Sequence, residues 1–144
     1  MSTVAHARSH AMTHAWRGAI AGLVGGVVFG IMMAMSGALP MIAGLVGSDN
    51  AVVGAVVHLA ISAVFGVAFG LLAGAIGDRL WSVLAAGLVY GLVLWVVGGL
   101  VLLPAFLGMP MFVIDQAAMG GLVGHAVYGL VTGATLYGLS RNEA

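Results

Sequence analysis

Between Arg17 and Arg141 the only formal charges are Asp49, the adjacent Asp78 and Arg79, and Asp115. They divide the interior into uncharged stretches 18–48, 50–77, 80–114 and 116–140. Each is longer than the roughly 20 apolar residues that carry a helix across about 30 Å of hydrocarbon. A soluble domain needs charge to cover its surface, about a quarter of its residues. Here 62% of residues are hydrophobic and 6% charged. Such a chain cannot face water all round, and the lipid bilayer is its expected surroundings.

Four transmembrane helices follow, placed at Trp16–Ser36, Ala51–Ile76, Trp81–Leu103 and Ala117–Leu139. Trp16 and Trp81 sit where amphipathic rings settle at an interface. The fold class expected is an all-α integral membrane four-helix bundle, with residues 1–15 a cytoplasmic tail and 16–144 one transmembrane domain. Four spans bring both termini to one side, and Arg8, Arg17, Arg79 and Arg141 all fall there, with Asp49 and Asp115 opposite. By the positive-inside rule the termini are cytoplasmic. The alternative of a signal peptide ending at Ser36-Gly37-Ala38 is disfavoured, because the apolar run after Arg17 exceeds the 7–15 residues of a signal core.

An internal duplication supports keeping the first helix. Ala21-Gly22-Leu23-Val24 and Gly26 match Ala86-Gly87-Leu88-Val89 and Gly91, Leu39-Pro40 matches Leu103-Pro104, and His58 matches His125. The chain reads as two tandem hairpins, 16–77 and 80–140. An even number of spans in each makes the copies parallel, related by an axis along the membrane normal. The short apolar pieces Met41–Ser48 and Ala105–Ile114 are too short to span and are expected as interfacial or re-entrant pieces on the outer side.

Glycines recur every fourth residue, which places them on one helix face. Gly18, Gly22, Gly26 and Gly30 mark the first helix, and Gly87, Gly91 and Gly99 the third. Gly54, His58, Ser62, Gly66 and Gly70 mark the second, and Gly121, His125, Gly129, Gly133 and Tyr137 the fourth. Lipid gives helices no hydrophobic reason to associate, so close approach over small residues holds such a bundle together. The packing positions are Gly22, Gly26, Gly54, Gly66, Gly87, Gly91, Gly129 and Gly133. A row left facing outward would favour a homo-oligomer or an accessory place in a larger complex.

His58 and His125 are the readily titratable side chains deep inside spans, 9 and 10 residues beyond Asp49 and Asp115. Ionisable groups at that depth are costly and invite a functional reading. The plain reading is that each neutral ring hydrogen-bonds a neighbouring Ser, Tyr or backbone carbonyl. A second makes the pair proton-responsive, since an ordinary histidine titrates near pH 6.5, with Asp49 and Asp115 flanking an outer vestibule. A third joins the two rings as axial ligands of a b-type haem or as part of a metal site. No cofactor is expected under the first two.

His6, His10 and His14 would share one face of a helix and could hold a divalent metal there, but a disordered Ser- and Thr-containing tail is the expectation. Met32, Met33, Met35, Met41, Met109, Met111 and Met119 crowd the outer half, where Cu(I) binding competes with ordinary gap filling, the latter expected. The absence of Cys removes disulfide, thiol and iron–sulfur chemistry. Zero net charge leaves no basic patch for nucleic acid. Paired carboxylates, a Ser-His-Asp set and H-E-x-x-H are missing, so an enzyme is not expected.

The runs Val57-His58-Leu59-Ala60-Ile61-Ser62-Ala63-Val64-Phe65 and Leu80-Trp81-Ser82-Val83-Leu84-Ala85-Ala86-Gly87, with Leu102-Leu103-Pro104 and Gly124-His125-Ala126-Val127-Tyr128, resemble the YagU-type bacterial inner-membrane proteins. The resemblance covers residues 51–139. It implies a polytopic inner-membrane protein whose activity is not established, and so carries over no catalytic residues. The short outer loops here depart from that family.

Overall fold

The computed structural model describes residues 2–143. Four helices in it are long and apolar enough to cross a membrane, over Thr3–Ser36, Ala51–Ile76, Leu80–Phe106 and Gln116–Ser140. Among the described residues there is no strand. The elements are α1 (Thr3–Ser36), α2 (Leu39–Ala43), α3 (Ala51–Ala73), α4 (Leu80–Leu94), α5 (Leu103–Phe106) and α6 (Gln116–Ser140).

The first helix begins at Thr3 and not at Trp16, so the segment expected as a disordered tail is helical. Its cause is local: Ser2 caps the helix by accepting from Ala5 N, and Ala5, Ala7, Ala11 and Ala15 are the strongest of helix formers. At 34 residues α1 is about 50 Å long and outreaches the hydrocarbon thickness by several turns. It stops at Gly37, whose left-handed φ of 74° closes a Schellman motif with Ala38 N bonded to Met33 O and Gly37 N to Ala34 O.

The chain then turns back as α2. Leu39, Ile42 and Ala43 are buried and the Leu39 carbonyl lies directly on Gly54 of α3. Gly54 was expected in the seam between long helices; it instead lets α2 lie across the start of α3. The corresponding point of the second half takes a different course. No left-handed glycine stands there as Gly37 does in the first half, and the helix runs on from α4 through a π-helical stretch, Trp95–Leu102, into α5. Pro104 has no N–H for the Leu100 carbonyl and its ring crowds that carbonyl, which forces the wider turn. The amide of Phe112, reaching back from the loop, bonds Leu100 O at 3.0 Å. Phe112 takes a left-handed φ of 57° to do so. Residues 108–117 are exposed, the apolar Met109, Met111, Phe112, Val113 and Ile114 included.

α1 packs against both α3 and α6, and α4 packs against α6. The α1–α3 seam is the expected glycine row: a methyl on Gly18 would strike the Gly66 carbonyl, and one on Gly22 the Ser62 carbonyl and, at 2.5 Å, Gly66 Cα. The α4–α6 seam repeats the pattern, with Gly87 against Gly129 O and, at 3.5 Å, Gly133 Cα, and Gly91 against His125 O. α3 and α4 meet chiefly through Tyr90, whose hydroxyl donates to Phe65 O at 2.7 Å and whose ring lies 5.1 Å from that of Phe69. The α1–α6 contact uses a second face of each helix, on which Ala21, Gly25, Phe29 and Met33 of α1, and Gly124, Tyr128, Thr132 and Leu136 of α6, are buried. Two apolar clusters result, one of Ala21, Phe69, Ala73, Val83 and Leu136 beside the turn from α3 to α4, the other of Phe29, Met33, Leu39, Ile42 and Tyr128 near the opposite end.

Candidate functional site

The second cluster meets the histidines through Phe29. His58 lies on the buried face of α3 with Gly54, Ser62, Gly66 and Gly70, the whole row expected from spacing. Its Nε2 donates to Gly26 O of α1 at 2.9 Å, across the helix seam. Gly26 and Gly30 leave the room this requires: a Cβ on Gly30 would stand 3.3 Å from the imidazole. His125 behaves differently. Its Nδ1 donates to Gly121 O one turn back on α6 at 2.7 Å. These bonds place the proton of neutral His58 on Nε2 and of neutral His125 on Nδ1, and leave the other nitrogen of each ring as the basic one.

Phe29 joins them. Its ring centroid is 5.2 Å from that of His58 and 5.0 Å from that of His125, both in edge-to-face geometry with interplanar angles of 89° and 64°. Phe29 itself sits in the notch left by Gly124, where a methyl would collide with the phenyl ring. Below it Tyr128 donates to Ser62 O at 2.8 Å, so α6 is tied to α3 across the cluster. On the far side of His125, Gly99 in the π-helical stretch would place a Cβ 3.7 Å from His125 Cε1 and 3.4 Å from Trp95. The Trp95 indole donates to Ala118 O at 2.9 Å and so pins the π-helical stretch to the start of α6. A shallow apolar groove of about 210 Å³ between α1 and α3 leads to the other ring, lined by Gly26, Gly30, Ala34, Ala55, His58 and Leu59 among others.

Spacing in the sequence puts His58 and His125 at one depth, and in the structure both rings meet one phenyl ring. It gave no sign of Phe29, although the row Ala21-Gly25-Phe29-Met33, small then large at four-residue spacing, was available to mark a second buried face. Asp49 and Asp115 stand apart. Asp115 is exposed and caps α6 by accepting from Ala118 N at 2.8 Å, while α3 is capped by Asn50, with Asp49 exposed beside it. Neither carboxylate pairs with a histidine. Met33 is buried in the cluster, whereas Met35, Met41, Met109, Met111 and Met119 are exposed.

The side chains as they stand do not fit a haem shared between the histidines. Axial ligation needs the two rings to offer nitrogens to one iron from opposite faces of a macrocycle. Phe29 fills that position, and the His58 nitrogen turned toward α1 is spent on Gly26 O. Among the described residues no three His, Cys, Asp or Glu side chains converge to hold a metal. The chain was compared with known protein families, curated proteins and solved structures, and none of them matches it.

Proposed function

We propose that this chain is a small multi-pass protein of a bacterial inner membrane, built of two tandem hairpins with both termini cytoplasmic, and acts without enzymatic chemistry as a proton-responsive permeation element. The observation that carries the reading is the convergence of His58 and His125, one from each hairpin, on Phe29. Each ring is held by one hydrogen bond to a helix carbonyl and keeps its second nitrogen for a proton. Gain of that proton puts a cation into an apolar cluster in which Asp49 and Asp115 do not take part. Such a change favours rearrangement of the packed rings, and with them the α1–α3 and α1–α6 seams.

The repeat reading draws support from the seams. Gly22 rests on Ser62 and Gly66 as Gly87 rests on Gly129 and Gly133, and these are the pairs that the duplicated segments equate. Between hairpins the equivalence lapses, since α1 touches α6 closely while α4 reaches α3 through Tyr90. The arrangement of charges supports the orientation, with Arg17, Arg79 and Arg141 at one end of the bundle and Asp49 and Asp115 at the other. Partners under this reading are the bilayer and a second copy or a larger complex that covers the exposed Val89, Leu92 and Val93 of α4.

The test is proton flux into liposomes loaded with a pH-sensitive dye. The parent should conduct, and the His58→Ala/His125→Ala double variant should lose the flux while keeping its helicity. Equal flux from parent and variant, or none from the parent, would leave the chain a packing or accessory element. Cysteines introduced at Asn50 and Gln116 should be labelled from outside the cell and not from the cytoplasm.

A further inference from the structure

The histidines at the other end of α1 are placed independently of this reading. Because the helix starts at Thr3, His6 and His10 are one turn apart on an ordered face, and their Nε2 atoms approach to 3.2 Å with ring centroids 4.7 Å apart. Imidazole nitrogens bind a divalent transition metal at about 2.0–2.1 Å. Two of them on one ion are therefore about 2.9 Å apart at a right angle and about 3.3 Å apart at the tetrahedral angle. The observed separation lies inside that interval. It is also a separation at which one neutral ring donates to the other, so the pair is preorganised by the same contact that a metal would replace.

His14 does not complete the set. Its ring is 6.3 Å from that of His10 and is docked against Gly74 at the end of α3, where any side chain on Gly74 would collide with it. Arg8, two residues from each member of the pair, is about 200° round the helix from both, so its charge points away. His6 and His10 are exposed, which leaves room for water to fill the remaining coordination positions.

We propose that His6 and His10 form a two-histidine clamp for a divalent transition-metal ion that prefers imidazole, with Cu2+ held more tightly than Ni2+ or Zn2+. Water completes the shell. Binding moves the proton that one ring offers the other from its Nε2 to its Nδ1 by way of water, so both rings ligate as neutral imidazoles, and it fixes the first turns of α1 by cross-linking one turn to the next.

The experiment is electron paramagnetic resonance of Cu2+ added to the full chain, purified in mild detergent without a histidine tag and passed through gel filtration. One bound Cu2+ per chain with two nitrogen donors is expected. His6→Ala and His10→Ala should each abolish it, and both leave the bundle intact because the side chains are exposed. His14→Ala and the His58→Ala/His125→Ala pair should keep it, which separates this site from the proton-responsive cluster. Absence of bound copper, copper that survives loss of His6 or His10, or a signal that also requires His14 would each overturn the proposal.

Discussion

Replacing Gly22 by Ala tests whether the glycine seam sets the distance between α1 and α3. The added methyl would stand 2.5 Å from Gly66 Cα and closer still to the Ser62 carbonyl. Carbon atoms in contact prefer about 3.5–4.0 Å, so the helices must separate by roughly 1 Å over this stretch. A gap of that size forfeits a quarter to a half of each contact along the seam, and forced overpacking costs about 1–3 kcal/mol. Ala in place of Gly returns about 0.5–1 kcal/mol of backbone entropy. The net loss is therefore about 1–2 kcal/mol, or roughly a tenfold fall in the ratio of folded to unfolded chain. Gly138 supplies the control: it is exposed, with nothing within 4 Å of an added methyl, so Gly138→Ala should stabilise by the entropy alone. Gly66→Ala should cost about as much as Gly22→Ala, and the double variant less than the sum, because one separation admits both methyls. Denaturant titration of helicity in detergent micelles reads all four. Gly22→Ala as stable as the parent, or costs that simply add, would refute close packing as the tie between these helices.

Asp115→Ala removes the cap of α6 and should lower stability by about 1 kcal/mol in the same titration, whereas Asp49→Ala, one residue outside the Asn50 cap of α3, should change it by less than about 0.5 kcal/mol. Tyr128→Phe deletes a buried hydroxyl that donates to Ser62 O and should cost about 1 kcal/mol, with hydrogen exchange quickened on α3 around Ser62. Phe29→Ala empties the space between the histidines and should cost about 3–5 kcal/mol, the largest single loss expected in the cluster.

The positions of the four long helices were legible because charge marks their ends: Asn50 and Asp115 cap helices beside the charges that divide the chain, and Asp78 and Arg79 fall in the turn before α4. The buried face of α3 was legible too, since a period of four small residues with one histidine points one way. Hydropathy was silent where the structure is decided by polarity-blind shape. Phe29 reads as one more apolar residue until Gly124 opens a notch for it. The helix ahead of Trp16 was obscured by Ser, Thr and His, which read as tail although alanines at every second to fourth position and the Ser2 cap support a helix. The unequal course of the two halves after Gly37 and after Leu94 rests on a glycine present in one and absent from the other, a difference that the matched Leu-Pro pairs conceal.

The pairing of α1 with α3 and of α4 with α6 has a consequence for biogenesis. The first hairpin has its whole glycine seam as soon as Ile76 has been synthesised. α4 emerges next and finds no seam on α3, which it meets mainly through Tyr90. Gly87 and Gly91 wait for Gly129 and Gly133, which follow only in α6. A chain ending ahead of Gln116 should therefore protect α1 and α3 from hydrogen exchange while α4 stays open to it. Nascent α4 is the helix left longest without its packing partner.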